Sequence, residues 1–192
     1  EEDLLRMGGV GDEELSDTVA AISRSRVPWL LVNLVTAFAS ASVIAMFGET
    51  IAQMVALAAL MPIVASLGGN AGTQTMTVTV RALASKDLDI YNAGRVIRRE
   101  VMVGFINGLV IASIIGCVAG FWFANVDLGF VIAAAMIINM LAAALAGILI
   151  PLFLDRLGAD PAISSSIFTT MVTDVIGFLA FLGLAAWWLG IG

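Results

Sequence analysis

From residue 28 onward the chain is a series of apolar stretches, each close to or beyond the roughly 20 residues a helix needs to cross a hydrocarbon core of about 30 Å. The hydrophobic set supplies 60% of the 192 residues and charged residues only 12%, with a mean hydropathy of +1.04, a composition foreign to soluble domains. Hydropathy places five spans, at about 28–47, 51–83, 100–124, 128–154 and 161–190. The expected fold is therefore an all-α membrane protein: five transmembrane helices in one domain, 27–192, after an acidic segment, 1–26.

The connections "FGET" and "NVD" hold no Lys or Arg. All 9 basic residues fall in the other connections: Arg6, Arg24 and Arg26, then Arg81, Lys86, Arg95, Arg98 and Arg99, then Arg156. Alternating spans put them on one side, so the N-terminus is expected in the cytoplasm and the C-terminus outside the inner (plasma) membrane. The start, "EEDLLRMGGVGDEELSD", has no signal-peptide pattern and reads as the beginning of a fragment. Its acids, from Glu1 to Asp17, form either a cation-concentrating collar or a solvated linker. Cys117 is the only cysteine and reads as a packed, inert thiol, while the absence of histidine excludes His-based catalysis and His-ligated zinc. The pairs Gly104/Gly108 and Gly116/Gly120 have the spacing that lets membrane helices approach closely.

An ionisable group at the centre of a span costs roughly 2.5–3.5 kcal/mol even on lenient insertion scales, so Asp174 is the first functional candidate. It stands 13 residues beyond Pro161, about 20 Å along a helix. Ser166, Thr170, Thr173 and Gly177 share its face at spacings of three and four. The alternative is a protonated or hydrogen-bonded structural Asp.

A second polar stripe lies in "LGGNAGTQTMTVTVRALA", where Ser66, Gly69 or Asn70, Thr73 and Thr77 recur at helical spacing. Gly68 and Gly69 weaken the helix there, which points to freed carbonyls beside a water-filled cavity. Close packing by the glycines, with Thr hydroxyls bonded back to their own helix, is the competing account. "GGNAGTQ" lacks the Gly-Lys-Ser/Thr ending of a phosphate loop, and no nucleic-acid partner is expected. One carboxylate stripe and one stripe of neutral oxygens suit a hard cation; Mg2+ fits, and Mn2+, Ca2+ and Na+ stay open.

Pro62, Gly68, Gly69, Asn70, Gly72 and Gln74, followed by Pro151, Arg156, Leu157, Gly158, Asp160, Pro161, Asp174 and Gly177, resemble the signature of the MgtE family of magnesium channels, over about residues 25–190. The resemblance implies a homodimer with its pore near the two-fold axis, lined by spans 2 and 5, in which paired Asp174 residues recognise hydrated Mg2+. It implies a further cation position at Asp160, a plug-like connecting helix over residues 1–26, and preceding cytosolic regulatory domains. A family member carries Asn at the positions of Thr73 and Ser166, so direct amide contacts there do not carry over, although a hydroxyl would still meet the ion's water.

Passive Mg2+ permeation is the leading expectation, and exchange of Mg2+ for H+ or Na+ the alternative. No enzymatic activity is expected: an intramembrane aspartyl protease needs a second acid that "GGNAG" does not offer. A mere anchor leaves both polar stripes without a purpose.

Overall fold

The computed structural model describes residues 18–86, 88, 90–158 and 161–191. Every regular element among them is helical: α1 (Val19–Met46), α2 (Gly48–Gln53), α3 (Ala56–Ala84), α4 (Ile90–Trp122), α5 (Val126–Arg156) and α6 (Pro161–Leu189). All but α2 are long and apolar enough to cross a membrane, which gives the five expected spans. The chain is a multi-pass membrane protein.

Helix ends depart from the hydropathy boundaries for a physical reason. Hydropathy detects the solvent, whereas the hydrogen-bond ladder decides the helix, and the ladder runs on into water. Thr18 caps α1, its Oγ1 accepting from the Ala21 N–H at 3.4 Å, so the helix begins ahead of the expected span and carries the exposed Arg24 and Arg26. The expected division at residue 26 thus falls inside one continuous helix; residues 1–17 lie outside the described ones. Likewise α4 starts ten residues early, and its first turns expose Arg95, Arg98 and Arg99. The second span is shorter than expected: Met54, extended at φ −138° and ψ 88°, separates α2 from α3.

α5 is the centre of the bundle, packed against α3, α4 and α6; α3 and α6 also meet each other, and α1 lies on α6. Its sequence is apolar all round, as a helix surrounded by others requires, and Ile132, Met136, Ala143 and Ile148 are fully or almost fully buried. Gly104, Gly108, Gly116 and Gly120 face α5, as their spacing predicts; a Cβ on Gly129 of α5 would stand 2.6 Å from the Gly116 carbonyl oxygen. Leu30, Leu34 and Phe38 of α1 and Phe105 and Ile106 of α4 are exposed, which fits a lipid-facing surface.

Cys117 corrects the sequence expectation of a packed thiol. It is exposed beside exposed Val118, whereas Ile115 and Ala119 of the same helix are buried, so Cys117 lies off the buried face of α4. Trp122, Trp187 and Trp188 gather at the end opposite the arginines, and Trp188 Nε1 donates to Asp127 Oδ1 at 3.2 Å, tying the end of α6 to the start of α5. Aromatic rings of this kind mark a membrane interface.

Candidate functional site

α3 and α6 cross the middle of the bundle side by side, and between them opens a polar recess of about 380 Å3. Ala65, Ser66, Gly69, Asn70 and Thr73 line it from α3, Thr170 and Asp174 from α6. Asn70 stands at the midpoint of α3 and Asp174 at that of α6, so the recess lies at membrane depth. Asp174 is half-buried; among the described residues no cluster of three or more His, Cys, Asp or Glu exists to enclose a bare metal ion.

The threonines have a defined polarity. Thr73 Oγ1 donates to the Gly69 carbonyl and Thr170 Oγ1 to the Ser166 carbonyl, both at 2.9 Å. A hydroxyl has one proton and two lone pairs. With the proton committed to its own helix, each of these oxygens offers only acceptor capacity elsewhere. Asp174, when ionised, is also acceptor-only; Asn70 adds a carbonyl oxygen beside its NH2 donors, and Ser66 a hydroxyl, so acceptors predominate.

The glycines of α3 divide their work. α3 continues unbroken through Gly68 and Gly69, so the expected weak point with freed carbonyls is absent; tertiary packing overrides a modest propensity. Gly68 is buried and faces α5, where a Cβ would stand 2.2 Å from Asn139 Nδ2. Gly72, one turn on, is buried against Thr169. Gly69 has open space beyond it and belongs to the recess. Close packing therefore accounts for one side of the motif and a cavity for the other, with the back-bonded Thr73 on the cavity side.

The α6 stripe splits in the same way. Relative to Asp174, Thr170 is rotated by about 40° and Thr173 by about 100° in the same sense, so Asp174 and Thr173 are the two edges of one arc and Thr170 lies between them. Thr173 is 0% exposed, donates to the Thr170 carbonyl at 2.9 Å and packs toward Gly72. Gly177 is buried against Asn139 and Val64. Neither Thr173 nor Gly177 lines the recess, contrary to the sequence expectation. Thr77 continues the α3 stripe one turn beyond Thr73, donating to the Thr73 carbonyl at 2.8 Å, and half-buried Ser166 stands one turn before Thr170; both fall outside the lining set. Asp160 lies outside the described residues.

A profile of the MgtE family, described as a divalent cation transporter, matches residues 61–184, a segment that holds every residue lining the recess. The chain belongs to the MgtE family. The magnesium transporter MgtE of Enterococcus faecalis is 38% identical over 180 residues, which is 94% of this chain and 40% of that protein. MgtE of Bacillus subtilis is 33% identical over 186 residues, 96% of this chain and 41% of that protein. MgtE of Thermus thermophilus is 32% identical over 188 residues, with the same two shares, 96% and 41%. This chain thus spans about two-fifths of the length of these MgtE relatives.

Two features of this MgtE chain escaped sequence reasoning. Asn139, inside the most apolar helix, is wholly buried and donates from Nδ2 to the Val64 carbonyl at 2.9 Å. A polar side chain amid "AAAMIINMLAAALAG" was the available signal. On the far side of Asn70 a smaller recess, about 260 Å3, brings Gln74 of α3 toward Asn107 of α4. Asn107 was legible only as a polar residue between Gly104 and Gly108.

Proposed function

We propose that this chain forms the membrane pore of a Mg2+-selective channel, through which hydrated Mg2+ passes down its electrochemical gradient. The observation that carries the reading is the acceptor character of the recess at mid-membrane. A hydrated cation presents only protons to its surroundings, and a wall of carboxylate, carbonyl and lone-pair-bearing hydroxyl oxygens is its complement. An anion or a neutral polar solute would want donors that Asp174, Thr73 and Thr170 do not supply.

Mg2+ sheds its waters reluctantly and is ordinarily held by one or two carboxylates with several waters retained. One Asp per chain is half of such a site. Two chains related by a two-fold axis bring two Asp174 residues together and turn two open recesses into an enclosed pore. The names of the relatives, magnesium transporters, support Mg2+ as the cargo. Asp160, four residues beyond Arg156 in the sequence, would supply a further ion position at the cytoplasmic mouth. The N-terminus lies in the cytoplasm and the C-terminus outside the plasma membrane, a direction supported by the Arg-rich ends of α1, α3, α4 and α5. Cytosolic regulatory domains would precede the pore in the complete polypeptide.

Flux through the purified chain in planar bilayers, with voltage imposed and no opposing ion gradient, tests the mechanism. A Mg2+ current carried under voltage alone is the expected result. A strict requirement for counter-transported H+ or Na+ would replace the channel by an exchanger working through the same Asp174.

A further inference from the structure

Asn139 carries a cost that packing alone does not justify. Its Oδ1 is buried with no hydrogen-bond partner, a cost that an apolar side chain at this position would not carry. The amide occupies a slot cut into two helices at once. A Cβ on Gly68 of α3 would stand 2.2 Å from Nδ2, and one on Gly177 of α6 2.6 Å from the same atom. Only two glycines leave room for it.

Each wall of that slot backs one arm of the polar recess. Gly68 immediately precedes Gly69 and Asn70, and Gly177 lies one turn beyond Asp174. The bond from Nδ2 to the Val64 carbonyl adds a directional tie between α5 and α3, one turn before Gly68. Asn139 therefore sits behind both ion-facing arms without touching the recess itself.

We propose that Asn139 is a positioning residue for ion discrimination, a fixed spacer that sets the separation and register of α3 and α6. The inference rests on the reading that the recess holds a hydrated divalent cation. Mg2+ binds its oxygens at about 2.0–2.1 Å and Ca2+ at about 2.3–2.6 Å, so their hydrated forms differ in radius by a few tenths of an ångström. Fixed acceptors read such a difference only when the helices carrying them cannot slide or close by a similar amount. A directional hydrogen bond in a two-glycine slot resists sliding; a greasy contact of equal volume permits it.

The test compares Asn139→Leu, which keeps the branching and the number of side-chain heavy atoms, is bulkier and removes the tie, with Asn139→Ala, which empties the slot, and with Asn139→Ala/Gly68→Ala, which refills part of it with a methyl group. Half-saturating Mg2+ and Ca2+ concentrations are read from influx into proteoliposomes, and folding from the thermal midpoint in detergent. Asn139→Leu is expected to remain folded, while the preference for Mg2+ over Ca2+ falls by about fivefold or more. In the double variant the midpoint recovers relative to Asn139→Ala and the preference does not. A folded Asn139→Leu with unchanged Mg2+/Ca2+ preference overturns the proposal. If that variant does not fold, an unchanged preference in the double variant does so instead. Asp174→Ala, assayed alongside, separates the two levels: normal Mg2+ influx in that variant sinks the ion-pathway reading, whereas its loss together with an unaltered preference in Asn139→Leu sinks only the role of Asn139.

Discussion

Two of the recesses in the bundle stand in contrast, and the roomier one is not the candidate site. Between α4 and α5 lies a hollow of about 880 Å3 lined by Leu109, Cys117, Phe121, Phe130 and other apolar residues. Between α3 and α6 the recess is less than half that volume and is lined by Asp174, Asn70, Thr73 and Thr170. In water an apolar hollow is the usual place for a ligand, because burial of apolar surface drives binding. In a bilayer that drive is lost, since acyl chains are as apolar as leucine and fill the hollow themselves. What demands explanation at membrane depth is polarity, and only the smaller recess has a charge.

The sharpest way to break this contrast is to remove that charge. Asp174→Asn keeps the shape of the side chain and substitutes an amide for two acceptor oxygens. A hydrogen bond to a charged group is worth about 1.5–3 kcal/mol, so Mg2+ influx at limiting concentration should drop by about 10- to 100-fold, and by more if two chains share the site. Influx into proteoliposomes, reported by a trapped Mg2+-sensitive dye, measures it. Removing an intramembrane charge should leave the thermal midpoint equal or higher, so a large loss of folding in Asp174→Asn would recast this Asp as a structural strut.

Next in size is the contrast between adjacent glycines. Gly68→Val must push a branched side chain into Asn139, and overpacking of this kind costs about 1–3 kcal/mol or more. Gly69→Ala meets open space and should leave the thermal midpoint within experimental scatter. Its methyl group enters the recess, so it should alter Mg2+ influx more than stability. Equal destabilisation by the two substitutions would mean that α3 is rotated from the orientation described.

That pair also shows what the sequence could and could not convey. Five spans, the glycine seam of α4 and the mid-membrane carboxylate are legible because each depends on the bilayer and on residue spacing alone. Which half of a stripe faces the recess is not, because an arc of about 100° on α6 includes both the recess edge with Asp174 and the packed edge with Thr173. Only the position of α5 decides between them. The same limit hid Asn139: a lone amide in an apolar run has no periodicity to betray it, and its slot is built from glycines 71 residues upstream at Gly68 and 38 downstream at Gly177. Cys117 was misjudged for the complementary reason. Small apolar neighbours signify burial in a soluble core, whereas in a membrane the lipid-facing surface has the same composition.

Smaller effects are expected from the neutral acceptors. Thr73→Val and Thr170→Val each delete one hydroxyl, a neutral hydrogen bond worth about 1 kcal/mol, so each should weaken Mg2+ influx by about fivefold. Thr173→Val tests the packed edge of the α6 arc. Its hydroxyl bonds only within its own helix, at 2.9 Å to the Thr170 carbonyl, and influx should change less than in Thr170→Val. The opposite ranking would mean that the ion meets α6 along its Thr173 edge.

The least effect should come from the apolar hollow. Cys117→Leu adds volume to a wall that touches lipid, and a surface substitution of this kind usually shifts stability by no more than about 0.5 kcal/mol. Mg2+ influx should be indistinguishable from wild type. The thiol itself gives an independent measure: a charged, water-soluble thiol reagent does not enter hydrocarbon, so it should leave Cys117 unmodified in proteoliposomes. Detergent unfolding should expose it to the same reagent at once. Rapid modification in the intact bilayer, accompanied by loss of influx, would put water and ions in the larger recess and reverse the assignment of the two.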